Sequence, residues 1–329
     1  MLRCAVRTEP RTVVVKRFDV TKGTDRSVTV RYGSERDGLA LLDSLGEPSL
    51  APRPLGADDA ARVVVMQDLG DPKTLVQPLL GSDPDAAVAA LRTWAECLGD
   101  LHARTAGRAT GSVASPPSPL QLDGIDASPL GIVVTKDALE EIRDVGAAMA
   151  SPDGFSAFIH GDPCPDNCYL DDRRCRFIDW EFGSFGHALY DGVYWHTQFP
   201  TCWCANRLTD QLADDLELAY RTALREGCPA ARDDAAFDRA VAQASAARTF
   251  WLLGPRWIKG LVEGPDQEWG LATVRQRVPT RFRSFARVAE RRGMYPALVT
   301  LARNVADVVD EVAAPGPLPL FPALRSLSP

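Results

Sequence analysis

His160-Gly161-Asp162-Pro163-Cys164-Pro165-Asp166-Asn167, followed by Ile178-Asp179-Trp180-Glu181, is the stretch from which the rest of the chain can be read. It sets an asparagine five positions after one aspartate, and a second aspartate twelve positions after that asparagine. Phosphoryl transfer from a magnesium-bound nucleotide needs these groups. One carboxylate orients the attacking hydroxyl and accepts its proton, while the amide and the second carboxylate offer hard oxygen ligands to Mg²⁺. Cys168-Tyr169-Leu170 and Cys175-Arg176-Phe177 are strand-like runs on either side of the polar turn Asp171-Asp172-Arg173-Arg174. If Leu170 pairs with Cys175, Asn167 falls opposite Ile178, and Asp179 lies one residue from that pair. Both oxygen ligands then meet at the open end of one hairpin.

Upstream, Thr12 to Phe18 and Arg62 to Met66 are β-branched runs of strand length. Between them Glu35, Leu39 and Leu42 follow a helical spacing that Gly46 stops. Val14, Lys16 and Phe18 share one strand face, so Lys16 projects from an apolar surface, and Glu35 sits on the apolar stripe of its helix. A buried charge costs several kcal/mol unless it is paired. Lys16 and Glu35 are therefore expected partners. After Met66 the texture becomes helical. Asp83-Pro84 opens a helix with Val88, Leu91, Ala95 and Leu98 on one face. Further helices are expected at 136–150, 208–226, 233–250, 279–292 and 295–313, with a strand from Phe155 to Ile159. Residues 105–130 read as a loop, and the Pro-rich end from Pro315 as irregular.

The catalytic stretch resembles the aminoglycoside phosphotransferase and choline kinase family, whose signature is H-G-D-x-x-x-x-N followed by D-W-E or D-F-E. Gly186 and Asp191 match its later G-x-x-x-x-D, and Leu98 to His102 its L-x-x-L-H helix end. The resemblance implies an α+β, two-lobed, protein-kinase-like fold: a small antiparallel β lobe, short of its first strand here, and a larger helical lobe. Residues 1–69 would be the nucleotide lobe and hinge, and 70–329 the catalytic and substrate-binding lobe. By the same resemblance Asp162 is the catalytic base, and Asn167 and Asp179 are magnesium ligands. Lys16 would hold ATP phosphates and Glu35 would hold Lys16. Met66 would border adenine, with hinge backbone at Gln67 to Leu69 hydrogen-bonding it. Asp191 would brace the loop, His160 would bond within it, and His102 would pack. Only 15 residues precede Lys16. They suffice for one hairpin, Leu2 to Thr8 turning at Glu9-Pro10, and no Gly-rich phosphate loop lies upstream. Either the chain begins inside a longer product or its ATP site is open on one side.

The expected activity is an ATP- and Mg²⁺-dependent transfer of the γ-phosphoryl group to a hydroxyl of a small polar molecule. An aminoglycoside-like antibiotic, an amino sugar or an amino alcohol would be such an acceptor. The alternative is a catalytically degenerate kinase-like binding protein, which the short N-terminus motivates. A net charge of -7 argues against a nucleic-acid partner. Residues 1–70 hold 11 Lys/Arg against 10 Asp/Glu, so the remainder is acidic, with 26 against 34, and could attract a cationic substrate. Acids such as Asp210, Asp214, Glu263, Asp266 and Glu268 could receive its ammonium groups, and the sequence leaves open which of them converge. Tyr194-Trp195-His196, Phe199 and Trp203 could line its pocket, although aromatics at such spacing more often serve the core. No apolar run is long enough for a membrane span and no secretory signal is visible. A cytoplasmic protein with eight free thiols is expected.

Overall fold

The N-terminal β-branched runs pair into one antiparallel sheet in the computed structural model. Residues 1–7, 11–19, 24–108, 122, 124–171, 174–254, 258, 260–261 and 263–327 are described. Strands β1 (Leu2–Ala5), β2 (Thr12–Arg17), β3 (Pro54–Asp58) and β4 (Val63–Gln67) lie in the order β1-β2-β4-β3. The first hairpin pairs Leu2 with Val15 and Ala5 with Thr12. Its expected turn at Glu9-Pro10 falls outside the described residues. The edge strand β3 carries no sequence signal, because Pro54 and Gly56 interrupt it. Pro is tolerated at an edge, and the register shifts between these two residues.

Helix α1 (Asp25–Ser44) starts where the Thr24 side chain accepts from the Ser27 amide at 3.2 Å. Its inward stripe is Val28, Tyr32, Glu35, Leu39 and Leu42, so Glu35 is buried among apolar neighbours. Gly38 lets this helix approach the second lobe, since a Cβ there would stand 2.9 Å from the Phe158 ring. The short helical turn at Trp180–Phe182 packs directly beneath it.

The second lobe begins with β5 (Lys73–Thr74), α2 (Val76–Leu80) and α3 (Pro84–Thr105). Asp83 caps α3 through the Ala86 amide at 3.0 Å, and Leu91, Trp94, Leu98 and Leu101 are fully buried. Helix α4 (Lys136–Ala150) leads into β6 (Ser156–Ile159), then β7 (Cys168–Asp171), β8 (Arg174–Phe177), β9 (Ser184–His187) and α5 (Leu189–Gly192). β5, β7 and β8 form a three-stranded sheet, and β6 pairs β9. Leu170 pairs Cys175, and the Ile178 amide donates to the Asn167 carbonyl at 2.9 Å, as the register argument requires. Residues 172–173 of its turn, and 109–121 and 123 of the expected loop, fall outside the described residues.

Helices α6 (Asp210–Leu224) and α7 (Asp234–Phe250) follow, capped by Thr209 and Asp233. Helix α8 runs Val274–Arg291, five residues earlier than the expected start at Pro279. The reciprocal Thr273–Gln276 capping box sets that start, and Pro279 near the N-terminus gives up a single ladder bond. Helix α9 (Pro296–Ala313) closes the bundle. The tail is irregular with a short turn at Pro322–Leu327, and Phe321 packs on Phe199 at 5.1 Å. The result is a two-lobed α+β fold, and no described helix is long and apolar enough to cross a membrane.

Candidate active site

The segment between β6 and β7 is shaped by a carboxylate that never meets water. Asp191, on α5, is fully buried. It accepts from the backbone amides of His160 at 2.6 Å and Gly161 at 3.2 Å. Arg248 of α7 reaches it at 3.1 Å, and His102 lies 3.6 Å away. Burial alone would raise its pKa, yet His102, Arg248 and His160 hold it below the usual carboxylate range. The His160 ring bonds the Ile178 carbonyl at 2.9 Å, tying the loop to the end of β8.

Asp162 follows with its Oδ1 crowded by donors. The Thr201 hydroxyl donates to it, the Cys164 thiol lies at 2.9 Å and the Tyr194 hydroxyl at 3.5 Å. Among the described residues Oδ2 has no protein partner. Asn167 donates its Nδ2 to the Asp162 carbonyl at 3.0 Å, which turns its acceptor Oδ1 the other way. Thr201 had no signal in the sequence, because 39 residues separate it from Asp162.

Asp179 sits in the left-handed region at φ 68°, a conformation costing about 1–3 kcal/mol in a residue with a side chain. It places one carboxylate oxygen on Lys16 of β2. Lys16 also meets Glu35 at 2.6 Å and Glu181 at 3.7 Å. Three carboxylates thus converge on one ammonium, with Arg31 reaching Glu181 at 3.5 Å. Burial opposes the charge on Lys16, but these carboxylates raise its pKa further. Burial also pushes Glu35 up to about 7 against the pull of Lys16, and its Oε1 is buried without a partner. The excess of negative charge and the free oxygens of Asn167 and Asp179 fit a hard divalent cation such as Mg²⁺. Asn167 and Asp179 would hold it.

Met66 is buried at the end of β4, opposite Val14. Gln67 exchanges bonds with Arg53, its amide donating to the Arg53 carbonyl at 2.9 Å. Gln67 and Leu69 are half-buried beside Asp68, which is pinned by Arg3 at 2.8 Å.

Beside Asp162 opens a cavity of about 1230 Å³. Helix α4 presents Leu139, Ile142, Arg143, Gly146 and Ala147 to it, and Phe182, Phe185, Tyr190 and Trp251 line other sides. His187 also lines it. Its Nδ1 accepts from the Leu189 amide at 3.2 Å, and burial drives its pKa down to about 3, so it is neutral. The acids that could receive a substrate are not brought here. Asp210 and Asp214 pair with Arg287, Asp266 accepts from the Arg275 amide, and Glu263 and Glu268 stand outside this wall. The aromatic segment takes the core role that its spacing favours and is not among the cavity's described lining residues. Tyr194, Trp195 and Phe199 are fully buried around Trp94, at 6.0, 5.6 and 5.8 Å between rings, because that side of their segment faces the helical core. His196 pairs Glu217 at 2.7 Å, and Trp203 donates to Asp166 at 3.0 Å.

The model of the phosphotransferase enzyme family matches residues 2–229, and the chain belongs to that family. It is an enzyme of the small-molecule kinase class. Among solved structures, a choline/ethanolamine kinase family protein from Mesorhizobium loti is similar at 16% identity, with 89% of this chain and 86% of that one covered and a TM-score of 0.47. A choline kinase from Streptococcus pneumoniae gives 15% identity, coverage of 85% and 88%, and a TM-score of 0.45. An aminoglycoside phosphotransferase in a ternary complex with streptomycin and ATP gives 15%, 87% and 86%, and 0.44. None of the curated proteins matches the chain.

Two outcomes follow from this geometry. Asp191→Ala strands the buried Arg248 charge and is expected to cost about 3–5 kcal/mol, read as a lower urea midpoint. His187, neutral in the fold, contributes stability that is full above pH 6.5 and is lost as pH falls through about 3. Over that window unfolding free energy should fall less steeply with acid in His187→Gln than in the parent, measured by denaturant titration at each pH.

Proposed function

We propose that this chain transfers the γ-phosphoryl group of ATP, bound with Mg²⁺, to a hydroxyl of a small molecule. The arrangement of Asp162, Asn167, Asp179 and Lys16 about one loop and hairpin carries this reading. Residues 1–69 would cradle the nucleotide against Met66 and the Gln67–Leu69 backbone, and residues 70–329 would supply the catalytic loop and the acceptor wall. Lys16, steadied by Glu35, would donate to the phosphate oxygens. Asp162 would accept the acceptor's proton at Oδ2, its Oδ1 being held by Thr201. Bound Mg²⁺, on Asn167 and Asp179, would neutralise charge on the transferring group. Such a reaction suits the cytoplasm, which supplies ATP and keeps free thiols such as these reduced.

The cavity speaks for the kind of acceptor. Asp162 is the one carboxylate among its described lining residues, against Arg31, Arg143 and Arg248. Arg248 and Arg31 are engaged by Asp191 and Glu181, whereas Arg143 stands exposed on the α4 face. Leu139 and Phe182 remain 39% and 41% exposed, which a bound apolar surface would cover. Each further ammonium on a ligand would meet no counter-charge and lose hydration. The acceptor is therefore a hydroxyl compound with a largely apolar body, neutral or carrying a single charge, rather than a polyamine sugar.

Asp162→Asn is expected to lower turnover by roughly 10²–10⁴ while leaving ATP binding intact in calorimetry. Asp179→Ala should abolish the magnesium dependence of that binding. Parent-level turnover in the first variant would remove Asp162 as base, and magnesium-ATP binding without turnover on any alcohol would favour the binding-protein reading. In an acceptor screen read by ADP release, apolar alcohols should exceed polyamine sugars by at least about tenfold, the effect of 1.4 kcal/mol. The reverse order would overturn the acceptor class.

A further inference from the structure

The catalytic loop carries a second donor set that phosphoryl transfer does not use. Cys164, Asp166 and Cys202 each offer one ligand atom, and the three atoms lie within 4.8 Å of one another. The Cys202 sulfur is 4.0 Å from Asp166 Oδ1 and 2.9 Å from the Cys204 sulfur. All three thiols are buried. Trp203 donates to the other oxygen of Asp166 at 3.0 Å, and the Cys204 amide points at the Cys202 sulfur at 3.4 Å. An oriented carboxylate and an amide aimed at sulfur are the outer contacts that support metal-bound ligands.

The charges around this cluster supply an independent observation. Arg277 and Arg281 of α8 are 4% and 3% exposed, and neither has a carboxylate partner among the described residues. Arg277 donates to the carbonyls of Cys202 at 2.7 Å and Trp203 at 3.4 Å, and also to that of Trp269. Arg281 donates to the Pro200 carbonyl at 2.9 Å. Arg277 Nε, Arg281 Nε and Arg281 Nη1 are buried without any partner. Two desolvated guanidinium groups with only backbone carbonyls as hydrogen-bond partners among the described residues, Arg277 at Cys202 and Arg281 at Pro200 of the same segment, form an unfavourable arrangement, because a buried cation needs an anion. The missing negative charge is what metal-bound thiolates would carry.

We infer that Cys164, Cys202 and Asp166, with Cys204 as fourth ligand, form a site for a thiophilic divalent cation of the zinc class. Three thiolates and one carboxylate around a divalent ion leave a net charge of about -2, which the two arginines balance. Binding releases the thiol protons to solvent. The sulfurs of Cys202 and Cys204 must part to the roughly 3.8 Å that tetrahedral zinc–sulfur bonds of about 2.3 Å require, a side-chain rotation rather than a refolding. Cys164 gives up its hydrogen bond to Asp162, where the Thr201 hydroxyl remains. Soft thiolates select against Mg²⁺, so this ion and the one at Asn167 and Asp179 would not exchange places. The site clips the loop of residues 162–167 to the segment of residues 200–204, and so holds Thr201 against the catalytic carboxylate.

The test uses the whole reduced chain, stripped of metal with a chelator and titrated with Co²⁺ alone, then with Zn²⁺. One equivalent of Co²⁺ should give the intense visible absorption of a tetrahedral thiolate complex, and Zn²⁺ should bleach it. Cys202→Ser and Asp166→Asn should each weaken Co²⁺ binding by about tenfold or more, with circular dichroism confirming that each variant is folded. Absence of the tetrahedral spectrum in the parent would overturn the site. Survival of the spectrum in a Cys202→Ser/Cys204→Ser variant would also overturn it, by assigning the metal to other thiols such as Cys97, Cys168 and Cys175. Because the readout needs no turnover, its failure is independent of the phosphotransferase reading.

Discussion

The buried carboxylate of Asp191 is the constraint on which the rest of the site depends. A charge without access to water is tolerated only where donors replace its hydration. Here the replacements are the amides that begin the catalytic loop and a guanidinium from α7. Arg248 is itself confined, lying over the Tyr190 ring at 3.9 Å and the Tyr194 ring at 5.0 Å. Helix α5, helix α7 and the loop therefore share one electrostatic bond set, and none can shift without exposing a cost to the others. From this anchor Gly161 turns through φ 82°, where a side chain would strike Phe182, and Asp162 emerges with one oxygen already fixed. A side chain is held precisely only if its support is rigid, and here that support is Asp191 with its buried donors.

The cluster around Lys16 is built on the opposite principle. Lys16 is held by Glu35 and drawn toward Asp179, whose backbone is strained to reach it. Three acids around one ammonium repel one another, so the cluster is left short of positive charge. A cation entering at Asp179 would relieve that repulsion. The two clusters thus differ in kind: the one around Asp191 is satisfied within the protein, whereas the one around Lys16 leaves Glu35 Oε1 without a partner among the described residues.

What the sequence disclosed follows the reach of its signals. The hairpin of β7 and β8 was legible because register is local arithmetic, so Leu170 opposite Cys175 fixes where Asn167 and Ile178 meet. The pairing of Lys16 with Glu35 was legible because each charge lay on an apolar face and neither could be buried alone. The magnesium-binding and catalytic roles of these residues rest on the family signature and on chemistry, and geometry alone does not assign them. Arg248 and Thr201 left no trace, since what makes them matter is contact across tens of residues. Which acids converge could not be read from the sequence for a related reason. Composition shows that the C-terminal part is acidic, but Asp210 and Asp214 are spent on the arginines of α8. Likewise the aromatic run at 194–199 packs around Trp94, because in a large helical lobe apolar bulk serves the core first.

The loop of residues 162–167 sends its side chains in different directions within six residues. Asn167 folds back onto the Asp162 carbonyl, while Asp162 Oδ1, Cys164 and Asp166 turn toward the segment of residues 200–204. The short helical turn at Pro165–Asn167 produces the separation, because it rotates successive side chains to different sides of the backbone. Pro163 and Pro165 restrict that backbone further, each fixing its own φ and limiting the residue before it. A loop stiffened in this way transmits displacement instead of absorbing it. The position of Asp162 is thus set from two directions, by Asp191 behind the loop and by Thr201 beside it.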